Sequence, residues 1–204
     1  RRDPATVTRP VRAPKADIVF LVDESGSMSG YQQTMITRMQ DLVRGLGSSL
    51  DFRVGTVGYA AGIRNGFGEV YGPLTDDLGD VYLGLDKLVI SSSSANSYEA
   101  VVKGMGFEYV DGELVENNVI GQRPNAASCA VLISDASVSE ADGLIASSAT
   151  NVPKADYAAA LDALQRRDGT LFSIITSNQS TKDAYGLGPG LAGQTDGDAW
   201  YIVD

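Results

Sequence analysis

The chain has 204 residues, 43% apolar and 21% charged, the composition of a soluble globular protein with a sizeable core. Twenty-six acidic against sixteen basic residues give a net charge of −10, which argues against nucleic acid or an anionic membrane as the main partner. There is no histidine, which excludes Ser-His-Asp and Cys-His catalysis and His-bound zinc, and the single cysteine, Cys129, excludes an internal disulfide.

Residues 1 to 15, RRDPATVTRPVRAPK, hold three prolines and five basic residues and read as an extended lead-in or linker. The chain begins at Arg1 rather than Met, so a segment of a longer polypeptide is expected. From Ala16 the pattern changes. Ile18-Val19-Phe20-Leu21-Val22 is a continuous apolar run, as in a strand buried on both faces. It ends at Asp23-Glu24-Ser25-Gly26-Ser27, a turn composition. Tyr31, Met35, Met39, Leu42, Val43 and Leu46 then fall on one face of a helix that Ser29 or Gly30 can start.

Residues 51 to 59 are rich in β-formers, and 67 to 74 form a second short strand, its expected hairpin partner. Residues 78 to 88 are weakly helical. Tyr98, Val101, Val102, Met105 and Tyr109 keep a helical spacing that Gly104 and Gly106 weaken. Ala130 to Ser134 is a second apolar strand ending in an acid, Asp135, with Cys129 read as a small core residue at its start. A helix over 156 to 167 and strands at 171 to 175 and 200 to 203 complete the chain. No apolar run reaches the ~18 residues of a membrane span. Buried strands alternating with amphipathic helices predict an α/β fold, a doubly wound, mostly parallel sheet flanked by helices with one antiparallel edge strand. Sites on such sheets lie at the carboxyl ends of the strands, where Asp23 and Asp135 both stand.

Asp23-Glu24-Ser25-Gly26-Ser27 spells Asp-x-Ser-x-Ser after a buried strand. Oxygen ligands at alternate positions of a tight turn can converge on one hard cation. One carboxylate with two neutral hydroxyls leaves that cation electrophilic and able to accept a further carboxylate. Glu24 reads as a solvated bystander or a tuning charge, and Glu99 as solvated or structural. The glycine-rich run at 188 to 193 contains a proline, does not follow a strand directly and is expected to open no helix, so it is rejected as a nucleotide loop.

The stretch ADIVFLVDESGSM, residues 16 to 28, resembles the first strand and metal-ion-dependent adhesion site of the von Willebrand factor type A family, which includes integrin I domains. The order of elements agrees with that family over residues 16 to 204, and ISDAS at 133 to 137 supplies a second strand-end acid. The resemblance implies metal-site residues on three loops. Asp23, Ser25 and Ser27 match the first loop and Asp135 the third. The second loop departs from the pattern: Ala95 stands where many relatives keep Thr or Glu, Ser94 is the nearest hydroxyl, and Ser93 could also reach. The implied cation is Mg2+, with Ca2+ or Mn2+ as alternatives. The implied partner is a protein presenting a carboxylate, with no nucleic acid and no membrane insertion. The implied setting is a larger secreted or cell-surface protein, expected to be bacterial; the lack of disulfides by itself fits either the cytoplasm or a bacterial exterior. In integrin-like relatives a helix follows the last strand; here the chain stops at Asp204, so that helix is expected to be missing and the groove beneath it bare or covered by residues 1 to 15. Two alternatives stay open: a structural module with a degenerate metal site, favoured by Ala95, and a metal-dependent phosphatase-like enzyme, disfavoured because Ser25 stands where that chemistry needs a second acid.

Overall fold

The structure is a computed structural model, and it describes residues 14–46, 50–59, 68–90, 96–135 and 155–202. The sheet is built outward from β1 (Lys15–Asp23). The unbroken apolar run puts side chains on both faces: Val19 and Leu21 enter one core, Phe20 and Val22 the other. β2 (Asp51–Tyr59) pairs parallel on one side of β1, and β6 (Ala127–Ser134) pairs parallel on the other. β3 (Glu69–Thr75) runs antiparallel to β2 at one edge, while β7 (Gly169–Thr176) and β8 (Ala199–Ile202) extend the sheet beyond β6. The order is β3-β2-β1-β6-β7-β8, the mostly parallel sheet with one antiparallel edge strand that the sequence predicts.

Helices cover both faces. α1 (Gln32–Leu46) and α2 (Leu78–Leu85) pack on the face holding Phe20 and Val22. α3 (Ser97–Gly104), α4 (Tyr157–Arg166) and α5 (Gln179–Tyr185), with the single turn α6 (Leu191–Gln194), pack on the other. Asp77, Asn96, Asp156 and Asn178 cap α2, α3, α4 and α5 through side-chain oxygens. No helix among the described residues is long and apolar enough to cross a membrane.

Several expectations need correction. α1 buries Ile36, Met39 and Val43, whereas Tyr31 and Leu42 are exposed and border an apolar trough of about 320 Å³ that also reaches Met35, Ile133 and Ile202. The helix expected through Tyr109 ends at Gly104. Beyond it, β4 (Phe107–Val110) and β5 (Glu113–Glu116) form an antiparallel hairpin. Its turn is Asp111-Gly112, with φ of 52° and 90°, the left-handed pair that hairpin turns favour. Cys129 is half-buried rather than in the core, because alternate residues of β6 face the less covered side of the sheet. The strand begins at Lys15, and residues 1–13 of the expected lead-in, like 203–204, lie outside the described residues.

Candidate functional site

β1 connects through α1 to β2 on one side, and β6 connects through α4 to β7 on the other. The gap between the carboxyl ends of β1 and β6 is therefore the switch point of the sheet, the place where open α/β sheets bind ligands. Asp23 is the last residue of β1, and Asp135 follows the last residue of β6.

Asp23 forms the floor, 1% exposed. One carboxylate oxygen accepts the Ser25 amide at 2.8 Å, and the other accepts the Ser134 hydroxyl at 2.6 Å. Ser25 precedes a turn of 3-10 helix over Gly26–Gly30, so the helix proper starts only at Gln32, later than expected from Ser29 or Gly30. Ser25 occupies the N-cap of that turn but its side chain makes no capping hydrogen bond. Its hydroxyl instead lies 3.0 Å from the Ser27 hydroxyl. Ser27 is exposed and donates to Asp135 Oδ1 at 2.8 Å. The chain of oxygens thus runs from a buried floor to an open rim, and Asp135 is held there by Thr176, whose hydroxyl donates to its carbonyl at 3.3 Å.

Burial pushes the Asp23 carboxyl above its ordinary value; the Ser134 hydroxyl and the Ser25 amide and hydroxyl pull it down, and the Asp135 charge pushes it up again. Among the described residues, no basic side chain pairs with Asp23, and no three acidic or cysteine side chains gather in one place. The set is two carboxylates and two hydroxyls, all hard oxygen donors. That chemistry fits a hard divalent cation, which would relieve the repulsion between the two acids.

Four of the five residues singled out in the sequence, Asp23, Ser25, Ser27 and Asp135, are brought together by the fold. Ser94 lies outside the described residues, as do Ser93 and Ala95. Ser134 was not singled out, because a serine at the end of an apolar run reads only as strand; its hydroxyl reaches Asp23 only because β1 and β6 pair side by side. Glu24 is not solvated: it is 1% exposed, bonded to Tyr71 and Val89. Glu99 is buried and accepts the Ala155 amide at 3.3 Å, a structural contact. Contrary to expectation, a helical turn does open in the rejected glycine-rich run, α6 at Leu191 with Gly190 as its N-cap, but it is a single turn of four residues.

The sequence profile of the von Willebrand factor type A domain matches residues 17–190. No curated protein matches the chain. Among solved structures, it resembles proximal thread matrix protein 1 from the mussel byssus, with a TM-score of 0.57 at 15% identity over 81% of this chain. At that identity the likeness is one of fold, and this chain covers 37% of that protein's chain. The family match runs from β1 through the third strand-end loop and beyond, over most of the described sheet, and the chain therefore belongs to the von Willebrand factor type A domain family, whose members are generally protein-interaction modules.

Proposed function

We propose that the chain is a metal-dependent protein-binding module of a larger extracellular or cell-surface protein, joined to its partner through a divalent cation and an acidic group of that partner. The observation that carries this reading is the run of oxygens from Asp23 through Ser25 and Ser27 to Asp135 at the switch point of the sheet. On this reading these four residues form a metal-ion-dependent adhesion site, and Ser94 is the candidate from the second loop. When bound, the cation would offer an open coordination position to a carboxylate. The chain's own part is geometric. Asp23 is fixed in orientation by the Ser25 amide and the Ser134 hydroxyl, and Ser27 is fixed against Asp135. No covalent chemistry is assigned to these residues. Mg2+ is the proposed ion, with Mn2+ and Ca2+ acceptable to the same oxygens. The extracellular setting is supported by the fold likeness to a byssus thread matrix protein.

Calorimetric titration of Mg2+, Mn2+ and Ca2+ tests the reading. Wild type should bind at least one ion, and Asp23→Ala should weaken it by orders of magnitude, because one of the two carboxylates among the described site residues is lost. Equal affinity of the two proteins for all three ions would refute the assignment.

A further inference from the structure

Glu24 follows Asp23 directly, yet its side chain turns into the protein and is 1% exposed. Its amide donates to the Tyr59 carbonyl of β2 at 2.8 Å. Its Oε1 accepts the Val89 amide at 2.7 Å, and the Tyr71 hydroxyl of β3 lies 3.0 Å from each carboxylate oxygen. Gly58 makes the room: a Cβ there would collide with the Glu24 carboxylate and with the Tyr71 ring. Glu24 thus gathers three segments, β2 through its backbone amide, and β3 and the stretch that leaves α2 at residues 88–90 through its carboxylate.

We propose that Glu24 is a positioning residue of the cation site: its carboxylate fixes the first loop against β3 and residues 88–90, and so sets divalent-cation affinity without touching the ion. This inference rests on the metal-dependent reading above. The Val89 amide and the Tyr71 hydroxyl come from two different segments, and both hydrogen bonds end on the one Glu24 side chain. Buried away from water, they hold the backbone at Glu24, one residue from Asp23 and one from Ser25, in a single arrangement. Partners that orient metal-binding side chains from outside the coordination sphere commonly change affinity by about 10–100-fold.

The test is Mn2+ binding by calorimetry on wild type, Glu24→Leu, Glu24→Gln and Tyr71→Phe. Unfolding midpoints are recorded in parallel, and exchange of the Val89 amide is followed in chelator. Glu24→Leu should bind Mn2+ about 10–100-fold more weakly, with faster Val89 exchange. Glu24→Gln keeps an acceptor for Val89 and a partner for Tyr71, and should retain most of the affinity. Tyr71→Phe keeps the ring and removes one hydrogen-bond donor, so it should fall between them, and it carries the test if Glu24→Leu does not fold. Wild-type affinity in both Glu24→Leu and Tyr71→Phe would overturn the proposal. So would a Glu24→Gln protein as weak as Glu24→Leu, since charge rather than placement would then be at work. A wild type that binds no Mn2+ would overturn the metal-dependent reading and this proposal with it, a result visible before any variant is compared.

Discussion

β1 buries an aspartate at each end, and the two are treated in opposite ways. At the amino end Asp17 is fully buried and meets Arg123, whose Nε lies 2.7 Å from one carboxylate oxygen and whose amide lies 2.6 Å from the other. The same guanidinium reaches Asp51 at 2.6 Å and the carbonyls of Ala16 and Asp51, riveting the starts of β1 and β2 together. At the carboxyl end Asp23 is equally buried, but it meets neutral hydroxyls, an amide and the like charge of Asp135. A carboxylate is costly to bury without a counter-charge. The amino end is supplied with one by the chain itself. On our reading the carboxyl end takes one from solution, which makes the first aspartate structural and the second functional.

The largest expected effect breaks the amino end. Arg123→Ala leaves Asp17 buried without its partner, and should cost about 3–5 kcal/mol in urea unfolding. The matching change at the other end should do the reverse in chelator. Asp23→Asn removes a repelled, buried charge while keeping its size, so its unfolding midpoint should equal or exceed that of wild type. A large loss there would mean that Asp23, too, is a structural residue.

The smallest effect is in pH. The Arg123 hydrogen bond holds the Asp51 carboxyl below its ordinary value against the opposing effect of burial, helped by the charges of Arg123, Lys15 and Arg53. A folded pKa below the unfolded one gives stability that is present above the unfolded value of about 3.9 and lost as pH falls through the folded value. The stability gap between wild type and Asp51→Asn should therefore hold from neutral pH to about pH 4 and close below it. Asp23, pushed upward, has the opposite sign: in chelator its contribution is fully present below the unfolded value and lost as pH rises. Any gain from Asp23→Asn should accordingly vanish in acid, and urea unfolding across pH checks both signs.

The carboxyl end was the more legible of the two in sequence. Its first loop is five consecutive residues after an apolar strand, and Asp135 repeats the strand-end acid. The Asp17–Arg123 rivet joins residues far apart in the chain, and nothing local marks it. Glu24 was misread for the same reason, since its pocket comes from Gly58, Tyr71 and Val89 on other segments. The β4–β5 hairpin is different. Asp111-Gly112 is a local hairpin signal, but the helical spacing of Tyr98 to Tyr109 was read across Gly104 and Gly106 and obscured it.

The central claim, that the carboxyl end of β1 takes a divalent cation, is tested most directly by thermal unfolding of wild type and Asp23→Asn with and without Mg2+ at matched ionic strength. At about 100 times its dissociation constant, an ion bound only by the folded chain stabilises it by about 2.7 kcal/mol, roughly 5–10 °C for a domain of this size. The account predicts that shift in wild type and none in Asp23→Asn; equal shifts in both proteins, or none in wild type with Mg2+, Mn2+ or Ca2+, would contradict it.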